Sequence, residues 1–338
     1  MTTPQTPETA RDWVRVLAKY REPSTLRSSF ELAVSFIPFA VLAVLAWMSL
    51  SVSYWLAFGL SLFNGLFLVR MFIIQHDCGH GSFFGNRHAN NWVGRILGVF
   101  TMTPYKVWRR THSIHHSASG NLDKRGIGDV YTLTVAEFEA LPRYKRVAYR
   151  VYRHPVFMFG LAPALLFMVQ NRVPTSMLRS WEYWMSAMGT NAMIAMMIGM
   201  ILWFGGLAPL LLIFLPTLLM AATLGVWLFY VQHQFENAQW DHSDEWELHD
   251  AALMGSSYYV LPGVLRWFSG NIGVHHVHHL YSRIPFYRLM EVVREHTALA
   301  NLNRMTIRQS LKSAQMHLWD EGSRKLVSFS QARQLRAA

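Results

Sequence analysis

Nine of the sixteen histidines in this 338-residue sequence fall in three short runs. The first is His76-Asp77-Cys78-Gly79-His80, the second Thr111-His112-Ser113-Ile114-His115-His116, and the third Val274-His275-His276-Val277-His278-His279. His76 and His80 stand four apart; His112 with His115 and His116, and His275 with His278 and His279, stand three and four apart. On a helix those offsets put the imidazoles on one face and turn His276 toward another side. Neutral imidazole binds zinc, copper, iron and nickel. The eight rings of these patterns exceed what one tetrahedral zinc requires, so the expectation is a site for two metals. A ninth candidate is His233, in Tyr230-Val231-Gln232-His233-Gln234-Phe235-Glu236, where a long apolar stretch ends. A polar group there is expensive enough to point to function.

The ligand type narrows the chemistry. Soluble di-iron bundles use Glu together with Glu-x-x-His pairs, which are missing from the apolar stretches of this chain. Imidazoles alone leave the positive charge of the ions uncompensated and raise their potential, which suits dioxygen activation and attack on an unactivated C–H bond. A structural zinc would not need nine histidines spread over half the chain. The rings must be oriented through their second nitrogens. Asp77, Glu236 and Asn271 are the preferred candidates for that task, with Asn121 beside them. Asp123 and Asp129 read as turn residues beside Gly120, Gly126 and Gly128. His88, His154, His242, His249, His296 and His317 read as surface or outer groups.

The elements that position these rings read as membrane helices. The chain is 52% hydrophobic and 15% charged, against about 25% charged in soluble domains. Apolar blocks at about residues 32–50 and 52–74 form one tight helical pair, and blocks at about 183–204 and 207–231, joined at Gly205-Gly206, form a second. Each approaches the roughly 20 residues a span needs. Ten Lys or Arg lie between Tyr105 and Arg153 and five more precede the first block, which puts both termini and the central segment on the cytoplasmic side. The net charge of +11 is explained in the same way, without nucleic acid. Residues 156–169 are apolar but short and broken by Gly160 and Pro163, which reads as a re-entrant or interfacial segment. An even number of crossings between His112 and His233 requires the same, giving four spans. The expected fold is therefore all-α and integral to the membrane, with two helical hairpins and a cytosolic helical cap that carries the histidines. Residues 1–298 form the membrane domain with its cap, and 299–338 a polar, helical cytosolic tail. The sequence begins without the features of a secretory signal. Cys78 is the single cysteine, so no intrachain disulfide can form.

With the runs in this order around two hairpins, the sequence resembles the membrane fatty acid desaturase family, of the bacterial acyl-lipid type. The resemblance extends to Gln75–Phe84 around the first run, to Ser117–Gly126 after the second, and to His275–Pro285 around the third, and covers about residues 30–289. It implies a non-haem di-iron centre held by His76, His80, His112, His115, His116, His275, His278 and His279. His233 corresponds less directly to the family's additional histidine. It also implies dioxygen as co-substrate, a fatty acyl chain of a membrane lipid as substrate, and a location in the cytoplasmic membrane with the site facing the cytoplasm. No His-Pro-Gly-Gly motif of a fused haem domain occurs here, so electrons are expected from a separate donor, ferredoxin with its reductase.

Two other classes compete. The same oxidant on the same scaffold serves hydroxylation of alkanes, acyl chains or carotenoids and decarboxylation of fatty acids to terminal alkenes. A transporter using histidines as a path would need polar groups at midplane depth, whereas these runs fall at span ends and in cytosolic segments.

Overall fold

The computed structural model describes residues 9–337, mostly as helices. Helix α1 (Ala10–Leu17) precedes α2 (Thr25–Ser49), which is capped by Ser24 accepting from the Arg27 amide, and α3 (Tyr54–His80), capped by Ser53. Gly81, at φ 70°, ends α3 in the left-handed conformation that glycine adopts without penalty. Then come α4 (Arg87–Phe100), α5 (Tyr105–Ala118), strand β1 (Leu133–Thr134), α6 (Val135–Ala140) and α7 (Arg143–Arg153). A π-type turn, Phe157–Leu161, leads into α8 (Ala162–Met168), followed by α9 (Trp181–Gly205) and α10 (Leu207–His233).

Four helices among the described residues are long and apolar enough to cross a membrane: α2, α3, α9 and α10. Their lengths explain where the histidines sit. Helices α3 and α10 each have 27 residues, about 40 Å at 1.5 Å per residue, against a hydrocarbon core of about 30 Å. Their last turns therefore project beyond the apolar layer, and those turns carry His76, His80 and His233. The two pack along each other as the central pair, while α2 lies on α3 and stays largely exposed. The two sequential pairs differ in form. Helices α2 and α3 pack lengthwise, but α10 packs mainly on α3 and meets α9 chiefly at their turn.

The segment between α7 and α9 behaves as expected from its length. Residues Arg143–Arg153 and Phe157–Met177 are bent by 59°, and Lys106 at the start of α5 binds Glu182 at the start of α9 at 2.7 Å. The chain thus returns to the histidine-bearing end before α9 begins. Inside the bundle, Arg70 of α3 pairs with Glu31 of α2, and its Nε donates to Ser35 Oγ at 3.1 Å. It also donates to the Trp267 carbonyl. Removing one member of such a buried pair costs about 3–5 kcal/mol.

After α10 the chain forms α11 (Leu248–Met254), β2 (Tyr258–Val260), α12 (Gly263–Phe268), α13 (His275–Leu280), α14 (Leu289–Glu295), α15 (Thr297–Asn301), β3 (Arg304–Thr306), α16 (Ile307–Ser313), β4 (Leu318–Asp320), β5 (Lys325–Val327) and α17 (Phe329–Ala337). The last part differs from the single polar helix expected. Strand β4 pairs parallel to β1 and antiparallel to β5, and β3 pairs parallel to β2. Leu318, Trp319, Leu326 and Val327 are all buried and seat this segment on the cap. Two such apolar pairs are too short a signal to stand out in a polar sequence.

One histidine there reports on docking. The His317 ring stacks on Phe329 at 4.3 Å, and burial, then Arg153 and His154, push it down to about 4. The undocked segment, with an ordinary imidazole near 6.5, takes up the proton first, so docking stability is full above about pH 6.5 and declines toward about pH 4. Hydrogen exchange of β4 and β5, corrected for its intrinsic pH dependence, should rise across that window. It should lose the dependence in His317→Phe.

Candidate metal centre

The helical offsets do what the spacing requires. His76 and His80 leave the end of α3, His112, His115 and His116 lie on α5, His275, His278 and His279 on α13, and His233 closes α10. Their ring nitrogens converge in two groups, one of His76, His80, His112, His116 and His278, the other of His115, His233, His275 and His279. Within each group the ligand atoms lie within 4.8 Å of one another. Helices α5 and α13 each contribute to both groups, so the two lie side by side.

The distances fit metal binding. His112 Nε2 lies 3.0 Å from His80 Nε2 and 3.1 Å from His116 Nε2, which is 3.2 Å from His278 Nε2. In the second group His233 Nε2 lies 3.1 Å from His115 Nε2 and 3.0 Å from His275 Nε2, and His115 and His279 are 3.2 Å apart. Ligands at about 2.0–2.1 Å from one ion stand about 2.9 Å apart at right angles and about 3.4 Å apart at the tetrahedral angle. Only one proton could sit in each such contact, and a chain of them leaves lone pairs facing each other, which a cation relieves. Burial, followed by the neighbouring imidazoles, pushes His112, His116, His275, His278 and His279 well below the ordinary histidine range. These rings are held in the neutral form that ligates.

The second nitrogens of three rings have partners. His76 Nδ1 is 3.2 Å from Asp77 Oδ1, and Asp77 Oδ2 also accepts from the Phe286 amide at 2.6 Å, tying α3 to the segment after α13. His115 Nδ1 donates to Asp129 Oδ1. His233 Nδ1 lies 3.3 Å from the Gly255 carbonyl. With the opposite nitrogen engaged in this way, Nε2 keeps its lone pair toward the cluster.

Several sequence expectations need correction here. Glu236 is exposed and faces Lys325 at 3.8 Å, because the chain turns outward once α10 ends. Asn271 touches no ring: it has φ 55° and donates to the Phe286 carbonyl at 3.1 Å, shaping the turn before α13. Asn121 accepts from the amides of Asp123 and Lys124, and Asp123 takes His242 and the Ser243 amide. Asp129, read as a turn residue, reaches a ring after all. Gly126 and Gly128 adopt φ 111° and 77°, and a Cβ on Gly128 would come within 3.0 Å of the Thr111 carbonyl, so this glycine pair lets Asp129 fold back on α5. The only signal for this in the sequence is the Gly-Ile-Gly-Asp run itself. Gly255 acts through its backbone and leaves no mark there. His276 turns away, with Nε2 2.8 Å from the Leu299 carbonyl.

Beside the cluster opens a cavity of about 960 Å³, in the range of ligand sites. His76, His112 and His275 border it, and its walls are chiefly apolar side chains of α3, α5, α8 and α10. Trp108 stacks on His112 at 4.6 Å, and Phe229 leans on His115 and His233 at 5.1 and 5.2 Å. Gly79 makes room for this wall, since a Cβ there would meet the Trp108 ring at 2.7 Å. Phe229 of α10 is thus cavity wall, a role that composition does not assign.

Comparison with known proteins agrees with this architecture. Residues 53–310 match the family model described as fatty acid desaturase. A fatty acid desaturase of Bacillus subtilis is 42% identical over 93% of this chain and 89% of its own. An sn-1 acyl-lipid omega-3 desaturase (ferredoxin) of Synechocystis is 28% identical over 79% of this chain and 74% of its own. An endoplasmic-reticulum omega-3 fatty acid desaturase of Vigna radiata is 26% identical over 81% and 72%. Histidine clusters able to hold metal at the ends of apolar helices, beside an apolar cavity, are what this match accounts for, and the chain belongs to the fatty acid desaturase family, a family of oxidoreductases.

Proposed function

We propose that this protein introduces a carbon–carbon double bond into the acyl chain of a membrane lipid, with iron held by His76, His80, His112, His116 and His278 in one site and by His115, His233, His275 and His279 in the other. The observation that carries this reading is the pair of adjacent histidine groups bordering an apolar cavity large enough for a lipid chain. Bound iron would supply the activation of dioxygen, which is reduced to two waters by two electrons from a donor with two protons from solvent, and by the two hydrogens and two electrons of the adjacent C–H bonds broken. The chain's own residues do the rest. Trp108 and Phe229 cover the rings and keep water from the reacting carbons. The cavity walls hold two neighbouring methylenes at a fixed depth, so position along the chain decides which bond is oxidised. Asp77, Asp129 and the Gly255 carbonyl hold the protons of His76, His115 and His233 away from the ions.

The name of the Synechocystis relative specifies ferredoxin and an acyl-lipid, and we assign the same classes here: a ferredoxin with its reductase as donor and a membrane lipid as substrate. Four spans, with the basic residues at the histidine end, support a site on the cytoplasmic face of the cytoplasmic membrane. The test is expression in a host lacking desaturases, with analysis of lipids and headspace by gas chromatography–mass spectrometry and His115→Ala as control. A new internal double bond that vanishes in the control is the expected result. A terminal alkene or a hydroxylated chain would move the assignment to decarboxylation or hydroxylation at the same centre.

A further inference from the structure

Glycine in the interior of a helix costs roughly 1 kcal/mol relative to alanine, so each one in the two central helices needs a reason. Two have a close neighbour, since a Cβ on Gly65 would meet Met220 at 2.8 Å and one on Gly79 would meet Trp108 at 2.7 Å, and Gly59, near the start of α3, faces open space away from the cavity. Gly225, in the middle of α10, has neither a close neighbour nor a left-handed backbone. A Cβ there would meet nothing within 4 Å. What lies beside it is the cavity, which it lines together with Ala221, Ala222 and Val69.

The cavity extends from His76, His112 and His275 to Leu218, which is buried. Gly225 precedes His233 by eight residues and follows Leu218 by seven, about 12 Å and about 10 Å along the helix axis. On the facing wall, Val69 and Leu68 precede His76 by seven and eight residues and so lie at the same depth. The missing side chain therefore leaves the passage open midway between the histidines and the buried end.

We propose that Gly225 sets the bore of this cavity and thereby determines how much of an acyl chain extends beyond the carbons at the histidine groups. This rests on the reading of the cavity as the acyl site. Gly225→Ala adds a methyl without a clash and improves helix propensity. Gly225→Leu places a branched side chain across the passage, opposite Val69, and excludes chains that would run past it. A single extra methylene in an apolar pocket changes discrimination by roughly 10–200-fold, and the leucine substitution exceeds that.

Two readouts test it with the full-length, iron-loaded protein. In cells lacking other desaturases and supplied with laurate, myristate, palmitate or stearate, Gly225→Leu should lose stearate and palmitate products by at least roughly tenfold and retain those from the shorter acids. With purified protein, acyl chains carrying a diazirine at the methyl end should label the peptide containing Leu218 in the wild type, and long chains should lose that labelling in Gly225→Leu. Iron content equal to wild type identifies a folded variant, and Gly225→Val serves if leucine prevents folding. Unchanged long-chain products and labelling in an iron-loaded variant would overturn the assignment, as would wild-type labelling away from Leu218. If the wild type is labelled there yet forms no unsaturated product, the reaction assigned above fails, while the labelling comparison still decides the role of Gly225.

Discussion

Replacement of His233 by alanine is expected to halve the iron bound by the purified protein and to lower desaturation by at least roughly a thousandfold, about 4 kcal/mol in transition-state terms. The four-membered group has no spare ring. His233 Nε2 stands within 3.1 Å of both His115 Nε2 and His275 Nε2, and without it three imidazoles remain around one ion. The five-membered group shares no residue with it and should keep its metal, so iron per protein falls toward one of two rather than to zero. His276→Gln is the matched comparison. It lies in the same run as three of the nine rings, but its Nε2 is spent on the Leu299 carbonyl, and iron content should be unchanged. Metal analysis of both variants separates a ligand from a histidine that merely shares the neighbourhood.

The legibility of this protein in its sequence follows the range of the interactions. Helical offsets are local, and so the runs at 76–80, 112–116 and 275–279 group by face from their spacing alone. Apolar length is also local, and the four long helices are where the hydrophobic blocks lie. His233 is accessible only through topology, since a helix leaving the membrane at the level of the first run has to bring it near. What is not legible depends on backbone geometry far from the ligands. Asp129 reaches His115 because two glycines reverse the chain, whereas Glu236, three residues after His233, is carried away by the end of α10. Nearness in sequence is the wrong guide for both. The cavity is hidden for a further reason: Phe229 and Gly225 line it, while the methionines at 193–200 of α9 do not, and composition treats both stretches alike.

Asp129→Asn is expected to weaken iron binding at the four-membered group by about 10–100-fold, the usual effect of losing the partner of a ligating imidazole, with the five-membered group unaffected. The carboxylate accepts the Nδ1 proton of His115, and this fixes the tautomer whose Nε2 faces His233 and His279. An asparagine fills the same space, yet it can turn its amide N–H toward Nδ1 and favour a proton on Nε2, which cannot ligate. The consequence is a shift in the iron titration for half of the bound metal, with activity recovering as iron is raised. Loss of fold would not recover in that way. Asp123→Asn provides the contrast six residues away, because its carboxylate binds His242 and the Ser243 amide and its loss should leave both iron sites as they are. If the two substitutions behaved alike, Asp129 would be a turn residue, as its glycine neighbours first implied. A difference confined to one iron of two would instead make it the residue that holds His115 in its ligating form.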